Sequence, residues 1–129
     1  PFGYVGLRPH QDHGGVYGIA TPEHVEFGPI KQWHTEEIKA VGDRITVTVD
    51  GKVILDTDIR KACQGHNVAP DGGRVNPYTL DHKNHPGLFN KEGYISFCGH
   101  GAGVMFRNVR VLDLSQKQKT AKAGRKTKK

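Results

Sequence analysis

Residues 44–56, RITVTVDGKVILD, restrict the fold more than any other stretch of this chain. Ile45, Val47 and Val49 alternate with Thr46 and Thr48, the two-residue period of a strand with one buried face. Asp50-Gly51 follows, the pair best able to supply the positive φ angles of a type I′ turn. Residues 52–56 then return as the antiparallel partner.

The rest of the chain has the same character. Residues 33–41 read as a strand ended by a turn at Gly42-Asp43. Thr35, Ile38 and Val41 also fit one helical face, but the β-rich neighbourhood favours the strand. Residues 4–7, 16–20, 93–98 and 104–114 complete a set of about seven short strands, the pattern of a sandwich. In the last of them the apolar positions change phase between Phe106 and Val109, which points to a bulge near Asn108 or to a strand covered on both faces. Residues 59–62 suit one helical turn. Residues 63–92 read as a long loop, and such a loop in a compact domain is functional or disordered. With no repeat and no amphipathic helix, the expected class is all-β, an antiparallel β-sandwich.

At 129 residues the chain fits one domain, placed at residues 1–114. No apolar run approaches the roughly 20 residues that span a bilayer. The chain opens directly on strand-like sequence without an initiating Met, so it reads as a fragment or processed product. Its net charge of +6 is unevenly spread: residues 115–129 carry seven of the 19 basic residues and no acidic one. That stretch reads as a disordered basic tail. It has no aromatic residue for base stacking, so nucleic-acid contact is limited to nonspecific attraction. Cys63 and Cys98 form neither a disulfide framework nor a CxxC metal pair. Cys98 reads as a small buried apolar residue within a strand, with a Cys63–Cys98 disulfide as the open alternative.

Eight histidines dominate the candidate chemistry. His13 lies in QDHGG, His82 and His85 in LDHKNHPGL, and His100 between two glycines in CGHGAG. Turn-borne imidazoles beside strands are how an all-β scaffold builds a polar site, and histidine serves there as acid, base or metal ligand. The competing reading of Asp81, His82 and His85 is a loop stapled by Asp–His hydrogen bonds. His10, His24 and His66 read as solvated. No cofactor is expected; were a divalent metal used, its ligands would be His82, His85 and His100, a spacing weaker than an HExxH helix. Nucleophile elbow, P-loop and dinucleotide motifs are absent. Glu36 and Glu37 are adjacent on a strand and face opposite ways, so they do not flank one glycosidic bond. Trp33 fits either the core or a sugar-stacking face.

Four stretches taken together resemble the 3-keto-disaccharide hydrolase family. HGGVYGIATP (residues 13–22) resembles its HGSxYG segment, and KQWHTEEIKAVGDRITVTVDGKVILDTDI (residues 31–59) its central hairpin. LDHKNHPGL (residues 80–88) and GYISFCGHGAGVMFRNVRV (residues 93–111) resemble its closing signature. The family's Gly-Glu-Trp-Asn is Lys31-Gln32-Trp33-His34 here, and Asp50 stands for the common Asn. The resemblance implies a concanavalin-like jelly roll that is incomplete at the N-terminus, with an open sheet edge or a partner chain completing it. It implies a carbohydrate partner, no membrane, and a periplasmic or extracellular setting. The activity it implies is cleavage of glycosides oxidised at C3, by removal of the C2 proton and loss of the C1 aglycone. His82 or His85 is then the base, oriented by Asp81. His100 and Lys83 are candidates for stabilising the enolate or protonating the leaving group, and His13, Trp33 and Arg107 for binding the sugar. A carbohydrate-binding sandwich without catalysis, or an inactive piece, is the alternative.

Overall fold

The computed structural model describes residues 7–98 and 103–115. They belong to two units, Pro1–Gly93 and Tyr94–Lys129. In the first unit three strands form one antiparallel sheet in chain order: β1 (Glu36–Val41), β2 (Arg44–Val49) and β3 (Lys52–Asp58). The fold class is all-β; among the described residues helix is a 3-10 turn at Pro9–Gln11, one turn of α-helix, α1 (Ile59–Ala62), as expected at that place, and two helical residues, Leu114 and Ser115.

The central hairpin follows its turn chemistry. Asp50 and Gly51 both sit at positive φ, 49° and 83°, as a type I′ turn requires. Val47 pairs with Leu55 and Thr48 with Val53, so Ile54 is the extra residue of a bulge. The bulge breaks the alternation and lets Ile54 and Leu55 both be buried. With Val47, Val49 and Ala20 they form the core, closed by Val16, Val25, Phe27 and Ile45. Each of the buried Val, Ile and Leu side chains contributes about 1.5–3 kcal/mol relative to exposure. The opposite face is polar: Arg44 Nε donates to Asp56 Oδ1 at 2.8 Å, and the Thr46 hydroxyl to the same oxygen at 3.3 Å.

β1 is the uncovered strand. Its register sets Ile38 and Ala40 opposite Val47 and Ile45, on the core side of the sheet. Ile38 is nevertheless 68% exposed, since the covering residues pack on β2 and β3. At the end of β3, Asp58 caps α1 by accepting from the backbone N–H of Arg60 (2.9 Å) and Lys61 (3.0 Å). Arg60 extends from α1 to Asp43 (2.8 Å) and lies 4.0 Å over the Phe89 ring.

Several expected elements differ. Strand pairing begins at Glu36 rather than residue 33, because the Asp50 side chain takes the Thr35 N–H at 2.8 Å and His34 Nδ1 at 2.7 Å. Residues 16–20 form a turn closed by a single Val16–Ala20 bridge: the Val16 carbonyl accepts from both Ile19 (2.8 Å) and Ala20 (2.9 Å). Residues 93–98 and 103–113 carry no ladder among the described residues, and an extended segment becomes a strand only by bonding a neighbour. The irregularity expected near Asn108 is present as a kink, with φ at 55°. Phe97 and Phe106 pack together within this second unit, their ring centroids 4.9 Å apart. Cys98 is exposed rather than buried, for want of that ladder, while Cys63 is the fully buried one; both are free thiols. The second layer of the expected sandwich is thus not formed as strands among the described residues. Of the expected first strand (residues 4–7), only Leu7 is described, and of the basic tail only Ser115. No described helix is long and apolar enough to cross a membrane.

Candidate active site

The loop at residues 63–92 is ordered by asparagines rather than by secondary structure. Asn67 Nδ2 donates to the His85 carbonyl (3.1 Å), and His85 N–H returns to the Asn67 carbonyl (2.7 Å). Asn84 accepts from Ala69 N–H (2.7 Å) and donates to the Gly73 carbonyl (2.9 Å). Asn76 is fully buried, donating to the His66 carbonyl (2.8 Å) and accepting from Tyr78 N–H (3.0 Å). Sequence reading missed all three, although asparagine among Gly and Pro is a recognised turn-stapling signal. Asn76→Ala leaves two partly buried backbone groups unpaired, each costing about 1–3 kcal/mol. The expected result is a denaturation midpoint lowered well beyond that of an exposed-site control such as Lys91→Ala.

This framework sets Asp81 against His85. His85 Nε2 lies 2.9 and 3.0 Å from the two Asp81 oxygens. Asp81 is nearly buried, its side chain 9% exposed, and His85 is 23% exposed. Burial opposes the charge on Asp81, but hydrogen bonds from His85 and from Lys83 N–H, with the charge of His85, outweigh it and lower its carboxyl below the ordinary value. A carboxylate only accepts, so Nε2 carries a proton, and in the neutral form of the ring the lone pair lies on Nδ1.

The turn at residues 16–20 supports this pair from outside the loop. The Gly18 carbonyl accepts from Leu80 N–H (2.8 Å) and Asp81 N–H (3.3 Å). Gly18 has φ at 74°, and a Cβ there would overlap the Asp81 carboxylate. Only glycine permits both the angle and the approach. Gly18 is a further residue that sequence reading passed over, though its HGGVYG segment was singled out.

The other expected site residues are distributed as follows. His82 is exposed at the crown of the loop with φ at 57°, its carbonyl accepting from Asn76 N–H (2.9 Å). Asp81 therefore orients His85 and not His82. Lys83 is exposed, and its backbone closes the turn on Asp81. His13 pairs instead with Glu36 (2.9 Å), edge-on to Phe27, whose ring also meets His34. Glu36 and Glu37 pair with Val49 and Thr48 and so face opposite sides, as expected. Trp33 is 45% exposed rather than a core residue. Arg107 belongs to the second unit, and His100 lies outside the described residues. Among the described residues no three His, Cys, Asp or Glu side chains converge as a metal site. His85 would offer a metal only Nδ1, since Nε2 is engaged with Asp81.

Two of the histidines expected to be solvated are not. Both ring nitrogens of His10 are buried without a hydrogen bond among the described residues, the ring lying edge-on to Tyr17 at 6.2 Å. His66 is partly covered by Tyr78, with centroids 4.3 Å apart. His24 is exposed as expected, but it bridges Asp12 (2.5 Å) and Glu26 (2.8 Å). The hydrogen bond that His24 donates to Asp12, then the one to Glu26, raises the His24 pKa above its ordinary 6.5. The bridge therefore stabilises the fold fully below about pH 6.5 and is lost as pH rises through the raised value. Melting temperature should fall above that pH more steeply in the wild type than in His24→Gln. Parallel curves from pH 6 to 9 would show that the bridge carries no stability.

Fold and site together define an all-β domain whose polar centre is a carboxylate-paired histidine on an ordered loop. The chain belongs to the 3-keto-alpha-glucoside-1,2-lyase-like domain family, whose model matches residues 3–112. This is the family its hairpin and closing signature resemble. No curated protein and no solved structure matches the chain.

Proposed function

We propose that this domain cleaves glycosides oxidised at C3, with His85 as the base. The observation that carries the reading is the Asp81–His85 pair, at 2.9 and 3.0 Å, in a chain of this family. A ketone at C3 acidifies the C2–H bond. His85 Nδ1 takes that proton, and the electron pair passes into an enolate. Asp81 holds the tautomer and balances the imidazolium that results. When the C3 carbonyl re-forms, a double bond forms between C1 and C2, and the C1–O bond breaks toward the aglycone. Water adds to that double bond if the outcome is hydrolysis.

Supporting donors are drawn from the same loop: Lys83 and His82 stand exposed beside the pair and suit the enolate oxygen, and His100 follows in the closing signature. The exposed ring of Trp33 suits stacking on the sugar, with His13 as a further contact. The reading needs no cofactor for proton removal, and it takes the domain as a jelly roll working on carbohydrate in the periplasm or outside the cell.

The test is incubation with a 3-keto-glucoside carrying a 4-nitrophenyl aglycone, in deuterium oxide. Release of nitrophenol with deuterium entering C2 supports the reading. Binding without release points to a carbohydrate-binding domain, and release without exchange or a C2 isotope effect removes the proposed proton transfer.

A further inference from the structure

Tyr17 precedes Gly18 in the turn that lies against Asp81, and its side chain is 61% exposed. The core makes no use of this ring, yet its hydroxyl is held in place. Gln11 Nε2 donates to the Tyr17 oxygen at 2.7 Å. The direction of that bond is set one step further back: Gln11 Oε1 accepts the Arg8 backbone N–H at 2.8 Å, so its NH₂ end faces the phenol. A phenol oxygen that accepts from an amide keeps its own proton to donate, and the amide offers it no acceptor. The turn is closed by Gly18 N–H on the His10 carbonyl (3.3 Å) and joined to the loop by the Gly18 carbonyl on Leu80 and Asp81. An exposed O–H donor and a carboxylate-oriented base thus come from two segments fastened to each other at Gly18.

We propose that Tyr17 donates the proton that the departing C1 oxygen needs, as the acid counterpart of His85; this rests on the 3-keto-glycoside reading above. As the C1–O bond breaks, its electron pair goes to the aglycone oxygen, which takes the Tyr17 proton and leaves as an alcohol. The phenolate regains a proton from water. The proton from C2 passes from His85 to water, so both residues return to their starting state. Gln11 is a positioning residue that fixes the direction of the O–H.

Tyr17→Phe tests this with two 3-keto-glucosides, one with a 4-nitrophenyl and one with a methyl aglycone. Nitrophenolate leaves without a proton and methoxide does not. Turnover of the methyl glycoside should fall about 10²–10⁴-fold and that of the nitrophenyl glycoside less than about tenfold. Deuterium exchange at C2 should persist in Tyr17→Phe, since the base is intact. Equal losses on both substrates, or no loss on either, overturn the assignment. Persistence of C2 exchange in His85→Gln would instead overturn His85 as the base, so the two failures are separable. Thermal unfolding of Tyr17→Phe close to wild type shows that the fold is kept.

Discussion

Replacing His85 by Gln should lower aglycone release from a 3-keto-glucoside by about 10²–10⁴-fold, the usual contribution of a positioned base. Gln keeps a donor toward Asp81 but offers no basic lone pair, so the loop stays stapled while the proton acceptor is gone. Asp81→Asn should also slow the reaction, by less, because the neutral amide neither enforces the tautomer nor balances the imidazolium. The same exchange that slows catalysis removes a carboxylate held below its ordinary pKa by His85 and Lys83 N–H. That carboxylate stabilises the fold above about pH 3.8 and ceases to do so as pH falls through its lowered value. His82→Gln is the informative comparator. Its side chain is exposed and Asp81 does not orient it, so its loss should be the smaller one. If His82→Gln loses as much C2 exchange as His85→Gln, the base is misassigned.

Gly18→Ala should damage the fold and the site together. Two costs act at once. A residue with a Cβ at φ 74° pays about 1–2 kcal/mol for the left-handed conformation. The same Cβ would overlap the Asp81 carboxylate, and the turn and loop must separate to admit it. Separation strains the bonds from Leu80 and Asp81 N–H to the Gly18 carbonyl and shifts the base with them. Gly72→Ala isolates the first cost, because Gly72 has φ at 76° with nothing within 4 Å of its Cβ position. Urea unfolding and C2 exchange of the two variants should therefore diverge, Gly18→Ala losing both stability and exchange. Equal behaviour would show that the approach of Gly18 to Asp81 does not position the site.

What was readable beforehand divides along the length scale of the interactions. The β2–β3 hairpin was legible because alternation at Ile45, Val47 and Val49 and the positive φ preference of Asp50-Gly51 act within a few residues. The bulge at Ile54 was not: KVILD carries no glycine or break, and only the burial of two consecutive residues against Ala20 and Val49 selects it. The helical turn at residues 59–62 was placed, and its cap is local, Asp58 bonding two and three residues ahead. The run at residues 16–20 looked like a strand, yet with Gly18 at positive φ its own carbonyl at Val16 closed a turn instead. In the second unit the apolar pattern marked Asn108 as irregular, but a pattern of side chains does not supply a ladder partner.

The same division holds for the site. Membership of the family and the clustering of Asp81, His82, Lys83 and His85 were in the sequence, because motif residues close together need no fold to be counted. Which imidazole Asp81 holds was a matter of tertiary structure. His82 is the nearer in sequence, one residue from Asp81 against four for His85, yet Asn67 and Asn76 fasten the loop so that His85 turns inward and His82 outward. The approach of Gly18, more than sixty residues earlier, depends on backbone bonds that span the domain. Short-range φ preference and periodicity are properties of a few neighbouring residues and can be read from their identities. The direction of a side chain in an irregular loop is the outcome of competing hydrogen bonds between distant segments, and it exists only once they are packed together.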